Sequence, residues 1–499
     1  MQITSISKIE DLSDEDDNSE LVIGLVGAVG TDMDNIKTAI KERLGAFGYS
    51  TEEIRISSDI ISLFKEIPNT GDNFERINTL MTEGNRLRKL SDDNAILSRI
   101  VAAHINKGRN KTPEHQAMPV PRKAYIISSL KHPEEVKMLR DIYTNGFYLI
   151  GIYADEQRRI DYLRDNKLIE EGNAKILIER DSEEKDDWGQ HTRDTYELSD
   201  FYINYTGNID NTNKDLWRIL DLIFGNPYVT PTFDEYSMFM AFSASLRSAD
   251  LSRQVGAVLT KNNNIISTGA NDVPTYGGGL YWPHYKNGEI KDDEGGRDFM
   301  VGIDSNAREK KEIIDDILKN LNDDEKEKIQ KVLSESKLRD ITEYGRVVHA
   351  EMEAILACAR SNISTDNGIL YCTTFPCHNC AKHIIASGIK RVVYIEPYPK
   401  SKALDFHPDS ISIHGKDDAG KRVIFEPFVG VGPRCFFNLF SIGLGIGYKV
   451  KRKGKDGKVI EWKRKNGKLR MPMLPSSYIE RESISAKIVG RLLEKLQHD

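Results

Sequence analysis

VVHAEMEAI (347–355), followed by TTFPCHNCAKHIIASGIKRVVYIEP (373–397), is the stretch on which the reading of this chain turns. It holds His349-Ala350-Glu351 and then Pro376-Cys377-His378-Asn379-Cys380. One histidine and a Cys-x-x-Cys pair offer three ligands suited to Zn2+. Three protein ligands leave a fourth position open, the arrangement of a catalytic zinc. A closed structural site is the alternative, with His378 inside the Cys-x-x-Cys turn or Cys372 at the end of ILYCTTF as fourth ligand. Glu351 stands two residues from His349. It is placed to shuttle protons for a water whose ionisation zinc brings near neutrality. Both halves of the pattern fall where helices should begin, and helix N-termini favour thiolates and other anions.

Around this stretch the periodicity is that of an α/β domain. DEYSMFMAFSASLRSA (234–249) reads as a helix. VGAVLTKNNNIISTGAN (255–271) reads as two apolar strands joined by KNNN, a hairpin signal. The His349 helix, the PCHNC turn-helix and the strand RVVYIEP (391–397) follow. Residues 283–342 interrupt the domain with two charged amphipathic helices, which read either as a solvated hairpin or as a lid or oligomer contact. Glu353 steadies the ligand face or simply packs on the helix surface. Cys358 and Cys435 read as core.

Upstream, LVIGLVGAVG (21–30) is a buried strand entering a glycine-rich turn, and DNIKTAIKERLGAFGY continues it as a helix. Further strands at 53–56, 122–130 and 147–155 alternate with helices up to NTNKDLWRILDLIFG (211–225), which implies a mostly parallel sheet. Residues 1–19 read as a disordered acidic tail, since EDLSDEDDNSE (10–20) carries seven acids and no base. GNPYVTPT (225–232) is the linker between a 20–225 domain and a 233–475 domain. In 448–470, eleven Lys or Arg stand against Asp456 and Glu461, and Asp456-Gly457 and Asn466-Gly467 signal a basic three-stranded meander. Residues 476–499 read as a C-terminal helix.

At 499 residues the chain is too long for one ordinary core. A net charge of −7 argues against bulk nucleic-acid binding, while local basic patches remain available. No apolar run approaches the roughly 20 residues of a membrane span, and the N-terminus lacks a signal-peptide pattern, so a cytoplasmic protein without membrane contact is expected. All five cysteines fall after residue 357, which points to metal chemistry and not to a disulfide framework.

The H-x-E and P-C-x-x-C pair, with SLRSADLSRQVGAVLTKNNNIISTGAND (245–272), resembles the deoxycytidylate deaminase branch of the cytidine deaminase superfamily over residues 233–435. The resemblance implies a zinc-dependent α/β/α deaminase domain with His349, Cys377 and Cys380 as ligands and Glu351 as the catalytic acid–base. It implies Asn271 as a reader of sugar and base, a turn residue being the alternative. It also implies a homo-oligomer. Arg253, Lys400 and Ser401 are candidates for the substrate phosphates, and Lys400 reads equally well as a solvated loop lysine.

With the glycine-turn domain fused ahead, and with TGANDVPTYGGGLYWP (268–283) and FVGVGPRCFFNLFS (428–441), the chain resembles bacterial antiviral dCTP deaminases. Those proteins deaminate free deoxycytidine nucleotides to deplete dCTP during phage infection, and some are held inactive by a small RNA. A housekeeping dCMP deaminase and a polynucleotide cytidine deaminase are the competing readings, and the basic segment would serve as channel, RNA site or solvated face.

The order of the first domain resembles a P-loop nucleotide kinase. Gly24, Gly27, Gly30 and Thr31 would form the phosphate turn, and Arg158 and Arg159 in ADEQRRIDYL (154–163) would hold phosphates. G-x-x-x-x-G-K-[ST] is not met, because no Lys precedes Thr31 and the next downstream is Lys37. A regulatory nucleotide, an assembly scaffold and residual kinase activity stand as alternatives for this domain.

Overall fold

The computed structural model describes residues 18–65, 71–109, 118–182, 184, 186–319, 321–334, 336, 338, 341, 343–396, 402–413, 420–473 and 475–498. Of these, 18–235, 396 and 427–498 form one unit, and 236–395 and 402–426 form a second.

The first unit opens with β1 (Leu21–Gly27), buried at every position. The glycine-rich turn leads to α1 (Met33–Gly45), whose first turn is capped by the Asp32 carboxylate. β2 (Ser50–Arg55), α2 (Asn73–Ser91), α3 (Ile96–Gly108), β3 (Lys123–Ser128) and α4 (Pro133–Tyr143) follow. Next come β4 (Phe147–Tyr153), α5 (Glu156–Lys167), α6 (Glu171–Ser182), α7 (Thr192–Glu197), β5 (Phe201–Asn204) and α8 (Ile209–Ile223). These five strands are parallel in the order β5-β4-β1-β3-β2. The near-continuous apolar runs of β1 and β4 are those of strands covered on both faces. Strand order reverses around β1, whose neighbours are β4 and β3, and the glycine turn sits at its carboxyl end, where ligands of open α/β sheets bind.

In the second unit, α9 (Phe233–Ser245) precedes the hairpin of β6 (Gly256–Lys261) and β7 (Asn264–Ala270). Asn262 and Asn263 at its tip both have left-handed backbones (φ 52° and 56°), as a type I′ turn requires. The expected insertion contains a small exposed hairpin, β8 (His284–Lys286) and β9 (Glu289–Lys291), and helices α10 (Asp298–Val301), α11 (Ser305–Leu318) and α12 (Asp323–Ser334). α13 (Ala350–Arg360), β10 (Ile369–Cys372), α14 (His378–Ala386), β11 (Arg391–Tyr394), α15 (Ala403–Phe406), β12 (Ile411–Ile413) and β13 (Val423–Pro427) complete it. The sheet order is β12-β13-β11-β10-β6-β7, with Leu259, Ala350, Ala354, Leu370 and Ile384 in one buried cluster.

The chain then returns to the first unit, which the expected 233–475 boundary did not foresee. β14 (Gly430–Val431) pairs antiparallel with β5, and α16 (Pro433–Phe440) and α17 (Pro475–His498) belong to the same unit. At its centre the buried Arg109 pairs with Glu20 and, at 2.7 Å, with Glu482 of α17. Ser19, assigned to the tail by composition, is buried and accepts from the Met473 N–H at 2.9 Å. Residues 1–17 lie outside the described residues.

The basic segment 448–470 is not a three-stranded meander. It contains one bridge, Lys453 to Val459, and a short 3-10 turn at Arg464–Asn466. Some of its arginines are anchored elsewhere in the unit. Arg464 grips Asp221 at 2.8 and 2.9 Å and lies 4.0 Å over the Trp217 ring, and Arg452 donates to the Pro227 carbonyl at 2.8 Å. These anchors replace the ladder that the two turn signals implied. No described helix is long and apolar enough to cross a membrane.

Candidate active site

Two helix N-termini build the metal centre. His349 is the N-cap residue of α13 and Cys377 that of α14, both in extended backbone. Cys380 follows one turn into α14, and its N–H points at the Cys377 sulfur at 3.5 Å. The His349 Nδ1 lies 3.3 Å from both Cys377 Sγ and Cys380 Sγ. Ligands at zinc's usual bond lengths in a tetrahedron stand about 3.5 Å apart, so the three donors fit one zinc ion. Hydrogen bonding to Cys380 and to His349 pushes the Cys377 thiol down to about 4, ready to ligate as thiolate. His378 and Cys372 stand outside the donor cluster. The His378 ring lies 3.6 Å from Glu343, and Cys372 is buried with its thiol pushed well up, first by burial.

The position of α13 is set by Gly269 of β7. A Cβ there would lie 2.0 Å from the Ala350 carbonyl oxygen, so only glycine lets the strand pass beneath the helix that carries His349 and Glu351. Glu353 is buried outside the donor cluster and pairs with Arg360 at 2.5 Å, the packing role weighed for it. Cys358 and Cys435 are buried outside the cluster.

Beside the donors is a cavity of about 230 Å³. Glu351, Asn271 and Arg253 all line it with His349 and Cys377. Glu351 is only 3% exposed, and burial, then the charge of Cys377, hold its carboxyl above the ordinary range. Asn271 is neither a loose turn residue nor free in the cavity. Its Oδ1 accepts from the Val255 N–H at 2.6 Å and its Nδ2 donates to the Arg253 carbonyl at 2.8 Å, so it shapes the segment that presents Arg253. The Arg253 guanidinium is exposed and has no acceptor among the described residues. Lys400 and Ser401 lie outside the described residues.

Asp298, Asp304 and Asn306, all from the insertion, line the cavity and escaped the sequence reading. The helical hairpin therefore contributes to the cavity wall. Charged amphipathic periodicity could not show this, because Asp304 and Asn306 look like any helix-start residues.

In the first unit the glycine turn also borders a cavity, lined by Gly27, Gly30 and Thr31. Gly30 has φ +87°, and a Cβ would meet the Arg159 carbonyl at 2.7 Å. Gly24 instead lies inside β1 against Leu130 and Phe147. Arg158 and Arg159 do not line this cavity. Arg159 is buried and donates to the Ala154 carbonyl at 3.1 Å, and Arg158 lies against Gly207. The lining cations are Arg55, Arg76, Arg88, Lys131 and Lys167. At the turn itself the Val29 N–H donates to the buried Asp181 carboxylate at 2.8 Å, and Lys131 meets the same carboxylate at 2.9 Å. A lysine and a backbone amide thus converge on an anion that the chain itself supplies from α6.

Residues 231–396 match the profile of the cytidine and deoxycytidylate deaminase zinc-binding region. The chain is 33% identical over 173 residues to deoxycytidylate deaminase of Enterobacteria phage T2, covering 33% of this chain and 79% of that protein. It is 32% identical over 173 residues to the phage T4 enzyme, covering 77% of it. Against deoxycytidylate deaminase of Schizosaccharomyces pombe it is 26% identical over 285 residues, 56% of this chain and 71% of that one. Similarity of that extent to the phage enzymes, joined to a His/Cys/Cys donor set with a buried glutamate beside it, shows that this chain belongs to the deoxycytidylate deaminase family and is a zinc-dependent hydrolase.

Proposed function

We propose that the chain deaminates free deoxycytidine nucleotides, dCMP, dCTP or both, at the cavity of the second unit, with His349, Cys377 and Cys380 holding zinc. The observation that carries this is a buried Glu351 sharing a cavity with His349 and Cys377, two of three donors that leave a fourth metal position open. When bound, zinc supplies the Lewis acidity that brings a water's ionisation near neutrality. Glu351 takes the proton of the attacking water and delivers it to N3 as oxygen bonds to C4. It then carries the second proton to N4, the C4–N4 bond breaks, and ammonia leaves a uracil carbonyl. The burial that raises its carboxyl pKa suits a group that must both accept and give protons near neutrality. Asn271 holds the 253–255 segment in place, and the unpaired Arg253 meets the negative end of the nucleotide.

A defence role through dCTP depletion is the reading we favour over housekeeping synthesis, because a second folded unit accompanies the deaminase and biosynthetic deamination does not need one. That unit acts as a nucleotide sensor in this reading. The support is the position of its glycine turn at the reversal of strand order, beside a cavity with unburied cations such as Arg55 and Lys167. A small inhibitory RNA and self-assembly are further expectations. Incubation of zinc-loaded protein with dCTP, dCMP, CTP, CMP and a cytosine-bearing single-stranded DNA, with Glu351→Ala as control, tests the proposal. Product from dCTP or dCMP that vanishes in the control supports it. Deamination of the DNA alone refutes it.

A further inference from the structure

A different cavity, of about 620 Å³, opens in the first unit where α4, the start of β4, α16 and α17 converge. Its wall carries Arg99, Arg140, Arg434 and Arg481 against Asp141 and Asp200. Three of the guanidiniums are engaged. Arg99 pairs with Asp93 at 2.7 Å, Arg140 with Asp200 at 3.0 Å, and Arg481 donates to the Asp141 carbonyl. Arg434 has no acceptor among the described residues. Partial desolvation, and then the nearby charge of Arg140, lower its pKa from the ordinary arginine value. Arg434 thus lies near Arg140 and Asp200 on the cavity wall, and, as an exposed residue, it is open to a further anion.

A second observation is independent of charge. Tyr148 borders the same cavity and is 3% exposed, and its buried hydroxyl has no hydrogen-bond partner among the described residues. Buried hydroxyls are normally satisfied, so one without a partner beside a cavity is an unmet hydrogen-bonding group. Thr144, also on the wall, holds φ 49° and ψ −120°, a costly conformation for a β-branched residue and one that clusters at ligand clamps. Met138, Phe147, Met471 and Ile484 supply an apolar side.

We infer that this cavity is a binding site for a phosphate-bearing small molecule of nucleotide size. Arg434 and Arg140 take the phosphate oxygens, to which the guanidinium fork is matched, and the apolar side accepts the uncharged body. The volume lies within the range of roughly 300–1,000 Å³ usual for small-ligand sites. The site draws Arg140 from the start of the chain and Arg434 and Arg481 from its end, so it exists only because the C-terminal segments return to the first unit.

ATP serves as the probe and adenosine as its uncharged counterpart, with full-length zinc-loaded protein in titration calorimetry and hydrogen exchange. ATP should bind at least tenfold tighter than adenosine and protect peptides spanning 138–148 and 433–440. Arg434→Gln should weaken ATP at least tenfold and abolish that protection. Arg481→Gln, like Arg434→Gln at an exposed position, should weaken it severalfold. Arg55→Gln and Arg253→Gln, which alter the two other cavities, should leave the protection in place. Unchanged ATP affinity and protection in Arg434→Gln would overturn the inference. So would protection confined to the glycine turn or to residues near Arg253.

Discussion

Replacing Glu351 with glutamine keeps the volume of a buried side chain and removes only its ability to exchange a proton. Positioned acid–base catalysis contributes about 10²–10⁴ in rate, or roughly 3–5 kcal/mol of barrier. The structure places the expected loss at the upper end. Three other carboxylates line the cavity, but each is engaged. Asp250 accepts from the N–H groups of Ser252 and Arg253 at 2.8 and 3.1 Å. Asp298 pairs with Arg346 at 3.1 Å, and Asp304 caps α11 through the Ala307 N–H. None is free to take over two successive proton transfers. Single-turnover conversion of dCMP and dCTP should fall about 10⁴-fold in Glu351→Gln. Zinc content by elemental analysis and the melting temperature should stay at the wild-type level, since Glu351 is outside the donor cluster. A loss below tenfold would refute the shuttle role, and loss of most of the zinc would make Glu351 a ligand.

Gly269→Ala should strip zinc and activity together, because its methyl group must displace the first turn of α13, and metal analysis of the purified variant checks this. Arg109→Ala leaves Glu20 and Glu482 buried without their cation and should cost the first unit about 3–5 kcal/mol in denaturant or thermal unfolding, where a change below 1 kcal/mol would contradict the buried triad. Asp215 is pushed up to about 6 by burial, against about 3.9 in an unfolded chain. Its folded carboxyl prefers the proton, so its penalty is absent below about pH 4, grows as pH rises and is complete above about 6. Asp215→Asn should therefore stabilise the protein by about 1–2 kcal/mol at pH 7 and by nothing at pH 4, as melts at the two pH values would show.

The zinc donors and the glutamate were legible because their chemistry is local. A histidine and a glutamate two residues apart at one helix start, and two cysteines one helical turn apart at another, leave a signature in spacing alone. The β6–β7 hairpin and the buried β1 were legible for the same reason, since a tight turn and a strand covered on both faces each need particular residues in sequence. What only the tertiary structure decided is carried by contacts between distant residues. The return of residues 427–498 to the first unit rests on a two-residue strand beside β5 and on Arg109 meeting Glu482, neither of which has any periodicity. Asp181 fills the glycine turn from 152 residues away, and the acids of the insertion reach the deaminase cavity through helix starts like any others. Local spacing records which bonds a short segment can make. Which distant partner a charged side chain meets depends on how whole elements pack, and that is settled only when the chain has folded.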